Sequence, residues 1–244
     1  MLALRALMKG RIDDVIEGVG TVGALDHEEL YAEGDRLYWA GAADRTLPLL
    51  ERAANAGHVD SMFRLGRLHY DAGRKEPALR WFQSAAERGH VGAMIDLAAL
   101  IESDDRDVAM AWTLKAVKEG HDLTAEYNYG VFLEEDGRLE EAERYYRSAA
   151  EVNFPATRNR LGCLLWNTDR GDQAERWFRR ALDDLADSCD GPGDDDYEAN
   201  TAIMCNLAGL LAETGRSDEA LALYRQAAER GDLGAAEQAS RFTS

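Results

Sequence analysis

The chain has 244 residues, 45% of them hydrophobic, with 46 acidic against 28 basic side chains and a formal net charge of -18. The apolar share excludes global disorder. The acidic excess argues against a nucleic-acid binder, whose affinity rests on neutralising phosphates, and no apolar run approaches the roughly 18 residues that span a bilayer.

Residues 1–27 form an N-terminal extension. Leu4, Leu7, Ile12, Val15 and Ile16 can line one face of a short capping helix. The opening decapeptide has an apolar stretch broken by Arg5 and no small-residue cleavage site, so it is not read as a signal peptide. Gly18, Gly20 and Gly23 spell a GxGxxG string, but the dinucleotide fingerprint needs a strand before it and a βαβ unit around it. A flexible hinge is the expectation.

From residue 28 the sequence repeats itself. Ala53-Ala54-Asn55-Ala56-Gly57-His58 returns as Ala85-Ala86-Glu87-Arg88-Gly89-His90, as Ala116-Val117-Lys118-Glu119-Gly120-His121 and as Ala227-Ala228-Glu229-Arg230-Gly231-Asp232. Gly57, Gly89 and Gly120 follow one another at 32 and 31 residues, and Asn153 stands 33 further on. A second landmark precedes each. Leu65-Gly66, Ala78, Trp81-Phe82 and Ala85 correspond to Tyr129-Gly130, Ala142, Tyr145-Tyr146 and Ala149, and then to Leu161-Gly162, Ala174, Trp177-Phe178 and Ala181. The last copy is Leu207-Ala208, Ala220, Leu223-Tyr224 and Ala227.

A period of this length is one supersecondary unit, and the apolar spacing inside it is helical twice over. Six helix-turn-helix units are predicted near 28–59, 60–91, 92–123, 124–155, 156–200 and 201–233. Small residues such as Gly66, Gly130 and Gly162 are expected where helix axes meet. Gly57, Gly89, Gly120 and Asn153 are expected in the left-handed C-cap conformation. His58, His90 and His121 recur one unit apart. Stacked helices lie about 8–10 Å from one another, too far for these side chains to share a metal, so they are read as turn residues.

The stretch 183–200 holds eight acidic residues, no basic one, and Gly191-Pro192-Gly193. A solvated mobile insertion is the first reading, a docking site for a basic partner the second, and a metal site the third, lacking the oxygen spacing of a calcium loop. Leu233–Arg241 is expected to add one capping helix. Cys163, Cys189 and Cys205 follow no ligand or disulfide spacing, which fits a reducing, cytoplasmic setting with Cys163 and Cys205 as small buried hydrophobes.

The Leu-Gly, Ala, aromatic, Ala pattern resembles the tetratricopeptide-repeat superfamily, and the ending Trp81-Phe82-Gln83-Ser84-Ala85-Ala86-Glu87-Arg88-Gly89-His90 looks like its Sel1-like branch. The resemblance implies an all-α fold, a right-handed superhelical solenoid with a concave groove lined by each unit's first helix. It places Tyr31, Asp35, Tyr38 and Trp39 toward that groove, followed by Phe63, Arg64, Arg67 and Tyr70, and then Asp96 and Glu102. Tyr127, Asn128, Glu134 and Glu135 come next, with Asn159, Arg160, Trp166, Asn167, Asn206 and Glu213 after them. Relatives that hold extended peptides often use an Asn beside the Leu-Gly pair, and Asn128 and Asn206 occupy that place. Arg64, Asp96, Arg160 and Ala32 replace it elsewhere. None of the four lysines falls on the first-helix positions that bind chaperone tails in this superfamily.

The expected function is therefore a scaffold that binds a protein or peptide, with a basic segment on the partner complementing the charge. Self-association is a variant of the same reading. No catalytic set, cofactor motif or metal-ligand spacing is found in the local sequence, so neither an enzyme nor a cofactor is expected. The alternative is a small-ligand sensor or an enzyme whose site is assembled from distant residues.

Overall fold

A computed structural model describes residues 26–152, 155–185 and 195–242. The expected capping helix, the glycine string at 18–23, Asn153, Cys189 and Gly191-Pro192-Gly193 lie outside them. Thirteen α-helices and no strand occur among the described residues. They are α1 (His27–Trp39), α2 (Ala43–Asn55), α3 (Val59–Asp71), α4 (Lys75–Glu87), α5 (Val91–Ile101) and α6 (Arg106–Gly120), then α7 (Leu123–Glu135), α8 (Leu139–Glu151), α9 (Pro155–Asn167), α10 (Gly171–Leu185), α11 (Asp195–Glu213), α12 (Ser217–Glu229) and α13 (Leu233–Arg241). Helices α1 to α12 form six hairpins. The chain divides into two compact units, one ending at Asp122 and one beginning at Leu123.

Four of the hairpins close on a glycine opposite a large side chain, Gly34 against Leu50 in the first. A Cβ built on Gly66 would stand 2.4 Å from the Phe82 ring. One on Gly130 would meet Tyr146 at 2.4 Å, and one on Gly162 would meet Phe178 at 2.5 Å. The three rings are buried, together with the alanines flanking them, Ala78, Ala142 and Ala174. The close approach lets the second aromatic of each pair fill the space between two helices, which is the packing the repeat predicts.

Three details differ from the sequence reading. Gly89 takes a positive φ of 91° after α4, as a C-cap glycine should, but Gly120 remains helical. It faces Val91, whose methyl a Cβ would approach to 2.5 Å, and the left-handed residue is His121 at φ 47°. Close packing fixes Gly120, and the turn moves one residue on. In the fifth hairpin, where no glycine marks the turn, Asp169 takes the left-handed conformation at φ 60°, which Asp tolerates better than most side chains. Within the segment 183–200, residues 183–185 complete α10 and 195–200 open α11, while 186–194 lie outside the described residues. Leu185 and Asn200 are buried, so the sixth hairpin starts before residue 201.

Candidate partner-binding face

In the first unit the first helices are α1, α3 and α5. Asp35 of α1 stands 2.6 Å from the Arg64 guanidinium of α3, a charge contact rather than an aligned hydrogen bond. Arg67 of α3 donates to Asp96 of α5 at 3.2 Å. The two pairs occupy the same place in successive hairpins with the signs reversed. The residue after the Leu-Gly position of one hairpin meets the residue before that position in the next. Arg64 also lies over Tyr38, 4.8 Å from its ring centre, and over Trp39 at 5.4 Å. The Trp39 side chain is nonetheless 73% exposed, and Tyr70 is 52% exposed. Between Tyr70 and α5 lies a cleft of about 180 Å³ lined by Arg67, Tyr70, Phe82, Asp96, Ala99 and Leu100.

In the second unit the first helices α7, α9 and α11 solve the same problem with different groups. Glu134 accepts from Arg160 at 2.8 Å and from the Tyr146 hydroxyl at 2.8 Å. Burial and the carboxylate beside it push the Tyr146 phenol far above its ordinary range. Asn206 donates to Asn159 at 2.9 Å and to the Cys163 sulfur at 3.4 Å. Trp166 donates its indole N–H to Glu213 at 2.7 Å, and its ring lies against Gly209. Burial raises the Cys163 thiol. Burial and the neighbouring Asp232 raise Cys205 to about 11, so neither sulfur is poised as a nucleophile.

Tyr31, Phe63 and Tyr127 belong to the packing instead. Tyr31 lies 4.5 Å from the His58 ring, Phe63 stacks on His90 at 4.2 Å, and Tyr127 tilts against Tyr146 at 5.9 Å. They point to the joints between helices, so their aromatic character serves packing rather than exposure. Asn128 is half-buried, whereas Glu102, Glu135 and Asn167 are exposed.

His58 and His90 are more than turn residues. Each is the N-cap of a first helix, with Nδ1 accepting the backbone N–H of Ser61 at 3.1 Å and of Ala93 at 3.0 Å. Asp232 does the same for Ala235 at 2.7 Å. The exchange of His for Asp at this place was the available sequence signal, since a side-chain acceptor satisfies one of the open N–H groups at a helix start. Among the described residues no group of three or more His, Cys, Asp or Glu is arranged to hold a metal ion.

Hairpins that repeat at this period, three of them locked by a glycine under an aromatic ring and the first by Gly34 against Leu50, define an α-helical repeat solenoid. The tetratricopeptide-repeat profiles match residues 125–154, 156–185 and 201–231, and the Sel1-repeat profile matches 59–90. The chain belongs to the tetratricopeptide-repeat superfamily and carries a Sel1 repeat. No curated protein sequence matches it. Among solved structures, a protective antigen of uropathogenic Escherichia coli with an SLR fold superposes with a TM-score of 0.71 at 22% identity, covering 89% of this chain. This chain spans 49% of that protein. YrrB, described as a TPR protein with an unusual peptide-binding site, gives 0.59 at 18% identity, over 79% of this chain and 97% of its own. Pseudomonas aeruginosa pilF gives 0.59 at 19% identity, over 75% and 88%. These likenesses establish the fold.

Proposed function

We propose that the chain is a protein-interaction scaffold that holds an extended segment of a partner protein against its first helices, chiefly α1, α3 and α5. One observation carries the reading: Trp39 and Tyr70 stay exposed on a face whose charged groups are already paired with one another. Exposed aromatic side chains beside an apolar cleft are the usual anchors of an interface. The Arg67–Asp96 pair offers one donor and one acceptor to a neutral peptide backbone. The partner's anchor is thus apolar. The excess of acid in the chain acts on the encounter, favouring partners with a basic segment, and its reach is cut off by salt beyond about 8 Å.

The superfamily's general use as binding scaffolds and YrrB's description as a protein with a peptide-binding site agree with this reading. No described helix is long and apolar enough to cross a membrane, and Cys163 and Cys205 are free thiols, which fits a reducing cytoplasm. Affinity capture with the native protein, with Trp39→Ala and with Tyr70→Ala, read by quantitative mass spectrometry, tests the proposal. A partner retained by the native chain and lost by both variants is expected. Identical recovery with all three proteins would remove this face as the binding surface.

A further inference from the structure

The second helices of the second unit carry a different surface. A cleft of about 520 Å³ lies between α8 and α10, lined by Arg147, Glu151, Asp172, Gln173, Arg176, Trp177 and Arg180. Three guanidiniums thus face two carboxylates in a chain whose total charge is -18. Arg176 is exposed and has no carboxylate partner among the described residues. Arg180 lies over the Trp177 ring, 5.4 Å from its centre, and touches Glu151 at 3.2 Å with both side chains exposed. Arg147 shares its guanidinium between Glu143 and Gln173. The repeat does not require Arg180 for packing, because Ser84 and Ser148 stand at the same place in other hairpins.

We propose that this cleft docks an acidic segment of a partner protein, with carboxylates on the guanidiniums and the peptide laid across Trp177. Exposed ion pairs such as Arg180–Glu151 contribute only about 0–1 kcal/mol, so a ligand carboxylate displaces them at little cost. A guanidinium binds a carboxylate through two parallel hydrogen bonds, and a flat indole accepts the planar peptide groups beside it. The rest of the chain selects against longer polyanions. Its negative field opposes a nucleic acid running over many residues, because a longer polyanion must extend past the cleft over acidic surface. This site is separate from the first-helix face.

The test uses the ¹⁵N-labelled full chain titrated with N-acetyl hexaglutamate, following the indole cross-peaks, with Trp177 assigned through Trp177→Phe. A saturable shift of the Trp177 signal is expected. The double variant Arg176→Ala/Arg180→Ala should weaken binding by at least about tenfold while its circular dichroism and melting stay native. Trp39→Ala should leave it unchanged, which separates this site from the first-helix face. The proposal would be overturned by no saturable shift, by equal binding of hexaglutamine, or by equal binding of a uridine hexanucleotide, which would mark a general anion site. Undiminished binding in the folded double variant would place the acidic ligand elsewhere.

Discussion

The hairpins before Asp122 and those after Leu123 share a packing rule but differ in what the rule leaves on the surface. In the first unit Phe82 lies under Gly66, and its ring forms part of a cleft beside exposed Tyr70. In the second, Tyr146 lies under Gly130 at the same place, and its hydroxyl needs a partner. Glu134, which stands where Tyr70 stands in the earlier hairpin, supplies it and also holds Arg160. Where the earlier hairpin exposes an aromatic ring, the oxygen on this core ring is matched by a satisfied polar triad.

The most disruptive way to probe the comparison leaves the surface untouched. Gly130→Leu and Gly66→Leu each drive a side chain into a ring, and both should cost about 3 kcal/mol. Chemical denaturation would show the two units paying alike. A native midpoint for either variant would break the shared rule. Tyr146→Phe should cost about 2 kcal/mol by removing a hydrogen bond to a carboxylate, whereas Phe82 has no such bond to lose. A melting temperature equal to that of the native chain would mean that Arg160 alone satisfies Glu134.

His90→Ala removes a helix cap and should cost about 1 kcal/mol. Burial, outweighing the pull of Asp60, holds the His90 imidazole below its ordinary value of 6.5. The folded chain therefore binds this proton less readily than the unfolded chain does. The cap's contribution is complete above about pH 6.5 and is lost as the pH falls below that toward the depressed folded value. His90→Asp, copying the Asp232 cap, should flatten that part of the stability profile, as unfolding curves measured from pH 7.5 to 5 would show. An unchanged slope would assign the loss to other groups. The smallest stability change belongs to Trp39→Ala, within about 0.5 kcal/mol because the side chain is exposed. A larger loss, read by the same melts, would make Trp39 part of the packing through Arg64 and Tyr38.

The hairpins were legible in the sequence because their packing is local and periodic. Gly66, Gly130 and Gly162 declare it by recurring beside the same aromatics. The pairing of first-helix charges was less visible. Asp35 and Arg64, like Arg67 and Asp96, are 29 residues apart, three short of the period, and only the helix offset explains that spacing. Aromatic residues were misleading where composition could not separate a joint from an anchor. Tyr31 and Phe63 stack on capping histidines, whereas Trp39 faces water. The start of α11 was hidden because its acidic residues are compatible with both loop and helix. Burial of Asn200 is a tertiary fact that no window of composition contains.

The outer arginines of the second unit have a consequence for how such a chain changes length. Glu143 of α8 holds Arg147 from its own helix and Arg170 from the next turn, and Glu175 of α10 holds Arg179 and Arg216 in the same two roles. Each latch reaches from one hairpin to its successor and is built from the same parts. Arg216 would therefore find an equivalent carboxylate in Glu143 if the hairpin between them were excised, and a duplicated hairpin would bring its own latch at both ends. The joint is interchangeable hardware, so recombination can add or drop a hairpin without having to invent a new seam.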